Sequence, residues 1–505
     1  MKIHPRFLSD IGALMGGLLM PLAFSPFDYP LLAVVSLALL FHAWKDARPG
    51  RAALRGYLFG LGQFGLGVSW VYVSMHDFGG ASEIAAALLT LLLVAFLSLF
   101  PALGGYLACR LLRSGGTVDL LVAFLVVWML LEWARGDWIL GGFPWLQLGY
   151  SQIESPLAGY APVIGVYGIG ILLASSAALS LIVIGKYGRR RWLAAAALVA
   201  VWAVGGQLRN VQWTYPEGEP FRATLIQGNV AQDTKWRPGH GQIQLQLYSD
   251  MTRNSWDSRL IVWPETALPF FYHQLKEVYL DPLEAEARSH GTDLLLGLPV
   301  MGNSRDEYFN ALVSLGQTPG TYRKRHLLPF GEYLPLQPLT GFILDILDIP
   351  LADFTAGALD QPLLRAAGYP LIATICYEDA FGWENLAGLP EARYLVNVSN
   401  DAWFGNSIAA HQHFQMARMR ALETGRYLLR ATNTGISAIV SPSGEVIARA
   451  PQFEKVAVSS DISAMQGSTL YVRFGDIPIL ILITLLAVTG LLNGRGSRLA
   501  DQVRA

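Results

Sequence analysis

Seven long apolar runs crowd the first 206 residues of the chain, and an eighth lies close to its C-terminus. A helix needs about 20 apolar residues to cross the hydrocarbon core of a bilayer, although about 17 can suffice. Charged residues make up 15% of the chain, against about 25% in ordinary soluble proteins. The sequence therefore predicts a bundle of eight transmembrane helices. The runs are Ile11–Phe24, Leu31–Trp44, Gly56–Met75, Ile84–Cys109, Leu120–Trp133, Ala161–Gly185, Trp192–Gly206 and Ile477–Leu492.

The first run has a second interpretation, because Lys2 and Arg6 give it the basic start of a cleaved signal peptide. Further apolar runs follow at once and need no separate export signal, so we expect the first run to be retained as a span. Leu120–Trp133 is short for a span. The predicted topology depends on it, since its loss would reverse the orientation of everything that follows.

Basic residues alternate between the two sides of the predicted spans. With the N-terminus in the cytoplasm, the inner segments hold fifteen Lys and Arg residues and the outer segments three. Cytoplasmic loops carry an excess of Lys and Arg, so the pattern predicts cytoplasmic N- and C-termini. The inner residues are Lys2, Arg6, Lys45, Arg48, Arg51, Arg55, Arg110, Arg113, Lys186, Arg189, Arg190, Arg191, Arg495, Arg498 and Arg504, and the outer ones are Arg135, Arg209 and Arg473.

The segment between the seventh and eighth spans has a different pattern of apolar and polar residues. Short β-rich runs alternate there with polar or helical stretches such as His411–Tyr427, which is typical of an α/β domain. We therefore divide the chain into a membrane domain 1–209, an outer domain 210–472, and a last span with its tail, 473–505. The predicted strands are Ala223–Val230, Arg259–Trp263, Asp293–Val300, Leu312–Leu315, Leu371–Cys376, Tyr394–Val398 and Ser437–Val440.

Charge and cysteine content exclude some classes of function. The net charge of −1 gives no reason to expect nucleic acid as a partner. Two cysteines, Cys109 and Cys376, cannot build a disulfide framework. His411 and His413 could suggest a Cys–His pair or a metal site, but two histidines without nearby cysteines or well-placed carboxylates are weak ligands. We predict neither a metal nor another cofactor.

Three reactive side chains stand at or just past strands of the outer domain: Glu265, Lys324 and Cys376. A carboxylate can accept the proton of a thiol, and an ammonium group stabilises both the thiolate and the oxyanion formed on an attacked carbonyl. Together they suit acyl transfer. Taken singly, a cysteine at a strand end is more often a small buried hydrophobe, and a lone Glu or Lys is more often a solvated surface charge. Spacing alone leaves both interpretations open.

Four stretches decide between them, because they resemble the motifs of the carbon–nitrogen hydrolase (nitrilase) superfamily in that superfamily's order. They are Trp263–Glu265, Tyr322–Glu332, Ile375–Asp379 and Asn397–Gly405. With seven spans before the domain and one after it, the whole chain resembles the membrane-bound acyltransferases that complete bacterial lipoprotein maturation. The resemblance implies a nitrilase-like α/β domain built as a four-layer α-β-β-α sandwich.

The same resemblance implies roles for individual residues. Glu265 would be the general base, Lys324 the oxyanion stabiliser and Cys376 the nucleophile. Glu332, Tyr377 and Glu378 would support the nucleophile. Trp236 resembles a tryptophan near the substrate entrance, although an aromatic anchor at the lipid interface is an equally good interpretation.

The implied reaction moves a fatty acyl group from a membrane phospholipid, through a thioester on Cys376, to the α-amino group of an N-terminal S-diacylglyceryl-cysteine. The resemblance implies phosphatidylethanolamine as donor, a diacylated apolipoprotein as acceptor, and an inner-membrane enzyme with a periplasmic catalytic domain. We expect a monomer. Two alternatives are a membrane-tethered amidase of nitrilase type and a transporter or receptor whose outer domain only binds ligand. Few ionisable residues lie within the spans, which disfavours transport.

Other polar residues have simpler interpretations. Glu423 is expected to be a structural helix carboxylate rather than a second base. Cys109, within an apolar span, is expected to be inert packing. Glu132 and Arg135 flank the fifth span and could pair at the interface or guide substrate. The aromatic, nearly uncharged stretch Trp138–Tyr150 could line the opening to the bilayer.

Overall fold

The structure of the protein is a computed structural model that describes residues 5–111, 117–235, 237, 239–304, 307–333 and 354–489. The chain forms two compact units. The first, called the membrane unit here, comprises Met1–Tyr72, Glu83–Val211 and Phe474–Ala505, and the second, the catalytic unit, comprises Val73–Ser82 and Gln212–Arg473. A short segment next to the third predicted span thus belongs to the catalytic unit. Trp236, Arg113, Arg495, Arg498, Arg504 and Lys2 lie outside the described residues.

The membrane unit is helical wherever it is described as regular structure, because a backbone within lipid must satisfy its hydrogen bonds internally. Every predicted run coincides with a helix. The long helices are Pro5–Leu19, Leu31–Lys45, Pro49–Gly67, Trp70–Val73, Glu83–Leu111, Thr117–Trp133, Ala161–Ile184, Arg190–Leu208 and Ile477–Thr489. Short 3-10 or π turns span Met20–Ala23, Ala134–Trp138, Ile139–Gly141, Leu148–Gln152 and Pro156–Tyr160.

Among the described residues, three of these helices are long and apolar enough to cross a membrane: Glu83–Arg110, Pro156–Ile184 and Arg190–Leu208. A fourth crossing results if Pro49–Gly67 and Trp70–Phe78, bent by 50° at their junction, act as one broken span. Phe7–Ala23, Leu31–Lys45 and Ile477–Thr489 are shorter apolar helices. Helices long and apolar enough to span a membrane are therefore present, and the total of eight stays a prediction.

The helices of the membrane unit pack through small residues. A Cβ on Gly60 would lie 2.6 Å from Cα of Ser98, so glycine allows the helix Pro49–Gly67 to approach the helix Glu83–Leu111 closely. Several leucines on the helix Glu83–Leu111 are more than half exposed, for example Leu91 at 63%. Such a surface would be unfavourable in water and favourable among lipid tails.

The catalytic unit contains two mixed six-stranded sheets. The first has the order β12-β1-β2-β3-β4-β5 and the second the order β11-β10-β9-β8-β7-β6. Within each sheet the central pairs are parallel, β1-β2-β3 in one and β7-β8-β9 in the other, and the remaining pairs are antiparallel. The strands are β1 Thr214–Gln227, β2 Leu260–Val262, β3 Asp293–Met301, β4 Tyr308–Leu315, β5 Gly320–Arg323, β6 Leu364–Ala366, β7 Tyr369–Ile375, β8 Tyr394–Ser399, β9 Leu428–Thr432, β10 Ala438–Val440, β11 Val446–Arg449 and β12 Val456–Gly467.

Both faces of the central strands are buried, which explains their continuous apolar runs. In β2, Leu260 and Val262 belong to a core that also contains Val396 of β8, so the two sheets share one set of buried side chains. Ile261 and Trp263 alternate to the other side and pack in a second core. The period of two thus sends successive residues of one strand into different cores.

Helices supply the remaining buried surface of the two outer cores. Tyr248 and Leu283, from the helices His240–Arg253 and Asp281–Ser289, enter the second core, and Phe414 of the helix Ala409–Thr424 enters the third, which lies against β8 and β9. The other helices and helical turns of this unit are Ser74–Phe78, Gln232–Lys235, Tyr272–Leu275, Lys276–Leu280, Cys376–Ala380, Trp383–Leu386, Asp401–Phe404 and Leu470–Phe474.

The predicted α/β domain is confirmed as a unit of two sheets and several helices. All seven predicted strands overlap observed ones, and the predicted helix His411–Tyr427 corresponds to Ala409–Thr424. This helix ends at Gly425, whose φ of +64° suits a left-handed cap. Five strands had no prediction: β5, β6, β9, β11 and β12.

Candidate active site

Cys376 follows β7 directly, at the first position of a 3-10 turn that ends at Ala380. Its backbone has a φ of +53°, the left-handed region that a residue with a side chain rarely adopts. Its carbonyl oxygen accepts hydrogen bonds from the Asn397 amide and from His413 Nε2, each at 3.3 Å. Strained conformations of this kind persist where the surroundings over-determine them, and they cluster at functional sites.

Glu265 lies three residues past β2 and is 7% exposed. Its Oε1 accepts a hydrogen bond from Asn310 Nδ2 at 2.7 Å, and its Oε2 accepts one from the backbone N–H of Asn400 at 2.8 Å. Asn310 belongs to β4 and Asn400 follows β8, so both sheets orient this carboxylate. The next residue, Thr266, also has a positive φ, +46°.

Lys324 follows β5 and is almost fully buried. Its Nζ lies 2.7 Å from Glu332 Oε2 and 3.9 Å from Glu265 Oε1. Asn310 Nδ2 also donates to Glu332 Oε1, at 3.2 Å, and therefore bridges the two carboxylates. The Leu328 N–H donates to Glu332 Oε2 at 2.8 Å, which closes the loop between Lys324 and Glu332. One ammonium thus lies between two buried carboxylates.

The charges of Glu265 and Lys324 both act on the Cys376 thiol. Burial raises the pKa of the thiol well above its usual value, the charge of Glu265 raises it further, and Lys324 lowers it. Burial also raises the pKa of Glu265, with Lys324 opposing the shift and Glu332 adding to it. Burial alone would discharge Lys324, but the carboxylates of Glu332 and Glu265 outweigh it and raise the pKa of the lysine. At rest the site therefore holds a neutral thiol beside a firmly protonated lysine.

Glu378 connects two segments: the loop that follows Lys324 and the turn Cys376–Ala380. Its fully buried carboxylate accepts hydrogen bonds from the Tyr322 hydroxyl at 3.0 Å and from the backbone N–H groups of Arg325, His326 and Ile375 at 2.6, 3.1 and 2.7 Å. Burial raises the pKa of Glu378 to about 7, and several hydrogen bonds counteract that shift. The residue before Cys376 and the residue after Lys324 are thus held by one carboxylate.

The other predicted supporting residues lie in different places. Tyr377 is buried, with its ring edge-on to Phe381 at 5.0 Å and to His326 at 5.7 Å. It packs beside the nucleophile. Trp236 lies outside the described residues. Its neighbour Lys235 is buried and feels the charge of Glu265; burial lowers the pKa of Lys235 to about 8.

Sequence reasoning missed Asn310 and Asn400, which orient Glu265, and Tyr322, which donates to Glu378. It also missed a buried charged cluster, described below, that contains His413. Asn400 lies within the motif Asn397–Gly405, so its place directly after a strand was a usable signal. Asn310, a neutral side chain within β4, carried no comparable signal, because the carboxylates that it binds, Glu265 and Glu332, lie far away in the sequence.

Glu423 and Cys109, for which structural roles were expected, each contact a neighbouring group. Glu423 forms a buried ion pair with Arg420 at 3.1 Å, three residues away on the same helix. Cys109 is buried, with Sγ 3.7 Å from the carbonyl oxygen of Trp44. Within the described ranges no group of three or more His, Cys, Asp or Glu side chains is arranged to hold a metal ion.

In the membrane unit, Glu132 and Arg135 both bind backbone rather than solvent. Glu132 Oε1 accepts the Leu148 N–H at 3.0 Å, and Arg135 Nη1 donates to the carbonyl oxygens of Phe143 and Trp145 at 2.6 and 2.7 Å. The Glu132 carboxylate and the Arg135 guanidinium thus stabilise the backbone conformation of the aromatic stretch Trp138–Tyr150.

Two family models match the chain, one for each part. A model described as apolipoprotein N-acyltransferase N-terminal domain matches residues 16–179, and a model described as carbon-nitrogen hydrolase matches residues 222–468. Together they account for a membrane part and an enzymatic part of the kind expected from the motifs.

Curated relatives match nearly the full chain. An apolipoprotein N-acyltransferase of Methylococcus capsulatus is 58% identical over 92% of this chain and 92% of its own length. Proteins of the same name from Nitrosomonas europaea and Pseudomonas aeruginosa are 48% and 42% identical, covering 94% and 99% of this chain and 95% and 98% of theirs.

Among solved structures, the NitFhit protein of C. elegans matches 52% of this chain and 64% of its own, at 16% identity and a TM-score of 0.38. An amidase from Nesterenkonia sp. matches 53% of this chain and 97% of its own, at 19% identity and a TM-score of 0.36.

Proposed function

The chain belongs to the apolipoprotein N-acyltransferase family, and from that premise we propose that Cys376 carries the acyl group as a thioester between donor and acceptor. It is an acyltransferase of lipoprotein biosynthesis, a membrane enzyme with a carbon–nitrogen hydrolase domain. The single observation that carries the proposal is that Glu265 and Lys324, which follow β2 and β5, both act electrostatically on the thiol of Cys376, which follows β7.

In the first step Cys376 Sγ attacks the ester carbonyl of a phospholipid while Glu265 takes the thiol proton. The oxyanion that forms lies against the Lys324 ammonium, which is charged in advance and needs no reorganisation. Collapse of this intermediate breaks the ester bond, and the leaving lysophospholipid oxygen receives the proton from Glu265. The products are a lysophospholipid and a Cys376 thioester.

In the second step the α-amino group of the S-diacylglyceryl-cysteine attacks the thioester carbonyl. Glu265 takes a proton from this amine, and Lys324 again faces the oxyanion. Collapse breaks the carbon–sulfur bond and forms an amide, and the sulfur recovers the proton. The enzyme returns to its resting state with the acyl chain on the lipoprotein.

The supporting residues divide by the group that they hold. Glu332 keeps Lys324 charged, Glu378 holds the turn that carries the nucleophile, and Tyr377 packs beside that turn. Trp236 is proposed for the substrate entrance by resemblance. We propose phosphatidylethanolamine as donor, a monomeric enzyme, and no cofactor on the same ground.

A four-layer α-β-β-α sandwich is the proposed arrangement of the catalytic unit. It is supported by three cores, one shared by the two sheets and one on the outer side of each sheet with its helices. Because the substrates are lipid-anchored, an enzyme of this kind needs its active site at a bilayer surface.

We propose eight membrane crossings, cytoplasmic termini and a periplasmic location for the predicted outer domain, 210–472. The charge bias of the loops supports this topology. So does the ion pair between Arg55 Nε and Asp10 Oδ1, at 2.9 Å, because it joins the beginnings of the first and third long helices, which must then start on the same side. Arg51 pairs with the same carboxylate.

The test uses the purified full chain in detergent with phosphatidylethanolamine labelled in its acyl chain. We expect a labelled protein adduct that hydroxylamine removes, and transfer of that label to a peptide with an N-terminal S-diacylglyceryl-cysteine. Label released only as free fatty acid, with or without the peptide, would instead indicate a hydrolase. Label transferred without an adduct on Cys376 would exclude the thioester.

A further inference from the structure

Four charged side chains form a buried cluster beneath the nucleophile turn: Asp379, Asp401, His413 and Arg430. None is more than 2% exposed. His413 Nε2 lies 2.9 Å from Asp379 Oδ1, and His413 Nδ1 lies 3.1 Å from Asp401 Oδ1. Arg430 donates to Asp379 Oδ2 at 2.6 Å and to Asp401 Oδ2 at 3.2 Å. Two carboxylates are thus bridged twice, once by an imidazole and once by a guanidinium group.

This cluster ends on the backbone of the nucleophile. His413 Nε2 lies 3.3 Å from the Cys376 carbonyl oxygen, and Asn397 Nδ2 donates to the same oxygen at 3.3 Å. The orientation of the Asn397 amide follows from Arg430, which can only donate and lies 2.5 Å from Asn397 Oδ1. Since Nε2 faces a carboxylate and a carbonyl, both acceptors, it carries a hydrogen.

The Cys376 backbone needs such support, because its φ of +53° lies in the left-handed region that a residue with a side chain rarely adopts. We infer that His413 is a positioning residue of this active site, which clamps the Cys376 carbonyl and so aims Sγ at Glu265 and Lys324. The predicted effect of His413 on acyl transfer rests on the proposed function. Its predicted effect on the position and reactivity of the Cys376 thiol does not.

The contacts of the His413 ring support a role in positioning. The ring is fully buried, and its Nε2 lies within hydrogen-bonding distance of Asp379 Oδ1 and of the Cys376 carbonyl oxygen. The Cys–His pair that the sequence left open thus includes an interaction with the backbone of the cysteine. His413 is assigned an effect on the reaction that it exerts through the position of Cys376.

Charge gives His413 a second effect on the thiol. Burial works against a charged imidazole, but Asp379 and Asp401 outweigh burial and Arg430, and the pKa of His413 rises to about 9. Arg430 Nη2 also lies 2.9 Å from His413 Nδ1, so the guanidinium opposes the charged imidazole while the two carboxylates favour it. Asp401 by itself raises the pKa of the Cys376 thiol. Removing the imidazolium would leave that effect less compensated.

The experiment compares His413→Gln with His411→Gln, a half-buried histidine on the same helix, in the full chain carrying Cys109→Ala. Gln retains a donor near Nε2 and loses the charge. Alkylation of Cys376 by iodoacetamide is followed across pH, and acyl-enzyme formation is followed with labelled phosphatidylethanolamine. We expect His413→Gln to move the alkylation midpoint up by about one pH unit, tenfold in rate at neutral pH. Acylation should slow about 100-fold with an unchanged KM for the lipid.

Asp379→Asn provides a second route to the same effect, because it removes the acceptor that orients Nε2. Folded His413→Gln and Asp379→Asn proteins with alkylation and acylation within twofold of His411→Gln would overturn the inference. Loss of folding in both would also overturn it, since the cluster would then serve stability. If the parent protein forms no acyl adduct, the proposed function fails, while the alkylation profiles still decide whether His413 positions the thiol.

Discussion

The ammonium of Lys324 lies 2.7 Å from Glu332 but 3.9 Å from the nearest oxygen of Glu265, so Glu332 is its closer partner in a shared ion pair. The proposed mechanism uses this difference. In it Glu332 neutralises most of the lysine charge, and Glu265 accepts the proton. Because the pKa of the Cys376 thiol is raised mainly by burial, the thiol is protonated at rest and depends on that transfer.

Cys376→Ser should abolish transfer and leave no hydroxylamine-sensitive adduct, because the resting geometry is built around that sulfur. Cys109→Ala should retain nearly full activity, since its thiol packs against the Trp44 carbonyl within a helix of the membrane unit. Labelled phospholipid assays on both purified variants check this. An inactive Cys109→Ala protein beside an active Cys376→Ser protein would reverse the assignment.

Glu265→Gln should block formation of the acyl-enzyme itself, by about 10²–10⁴-fold, since a general base contributes that much to rate. Gln keeps the size of the side chain and can still bind Asn310. Single-turnover labelling at neutral pH measures the effect. Rapid adduct formation by this variant would show that another group removes the thiol proton.

Glu332→Gln should shift the acid limb of the kcat/KM profile to lower pH. The base must be ionised to act, and the charge of Glu332 is one cause that raises the pKa of Glu265, after burial. Removing that charge lowers the pKa, so the ionised base persists further into acid. Glu332→Asp, which keeps the charge, is the matched control. An acid limb that moves to higher pH in Glu332→Gln would contradict this electrostatic account.

Stability should fall between about pH 6.5 and pH 9 through His413. Its pKa in the folded protein, about 9, exceeds its ordinary value of 6.5. A raised pKa stabilises the fold fully below the unfolded value, and this contribution disappears as pH rises through the folded value. The loss amounts to at most about 3 kcal/mol. Chemical unfolding in detergent, with His413→Gln subtracted as reference, measures it; equal slopes for the two proteins would refute the prediction.

Reporter fusions test the topology on which the reaction depends. Alkaline phosphatase joined after Gln212 should be active, and the same enzyme joined after Arg191 should be silent, because one span separates the two positions in the proposed arrangement. The helix Thr117–Trp133 is the critical one. If it did not cross, both activities would be reversed and the catalytic unit would face away from its acceptor.

Local patterns predicted much of this protein. Apolar runs located the helices. Strand ends drew attention to Glu265 and Cys376, and the resemblance of four motifs supplied the roles proposed for these two residues and for Lys324. The strand β12 was not predicted, because Val456–Gly467 is a polar, partly exposed edge strand. It is ordered by pairing with β1, more than 200 residues earlier in the sequence. His413 was noticed only as half of a possible Cys–His pair or metal site, and its buried ion pairs were not predicted. Its meaning depends on Asp379, Asp401 and Arg430, and sequence spacing carries no signal for such a long-range ion cluster.

The pairing of β1 with β12 brings together the two ends of a stretch of more than 200 residues. Thr214 lies opposite Gly467, so the chain enters and leaves the main part of the catalytic unit through adjacent strands. Opposed residues of an antiparallel pair have Cα atoms about 4.5–5.5 Å apart. A module whose ends meet can be inserted into a host chain without stretching it. The stretch from Thr214 to Gly467 has that geometry, so its length can change without moving the helices that precede and follow it.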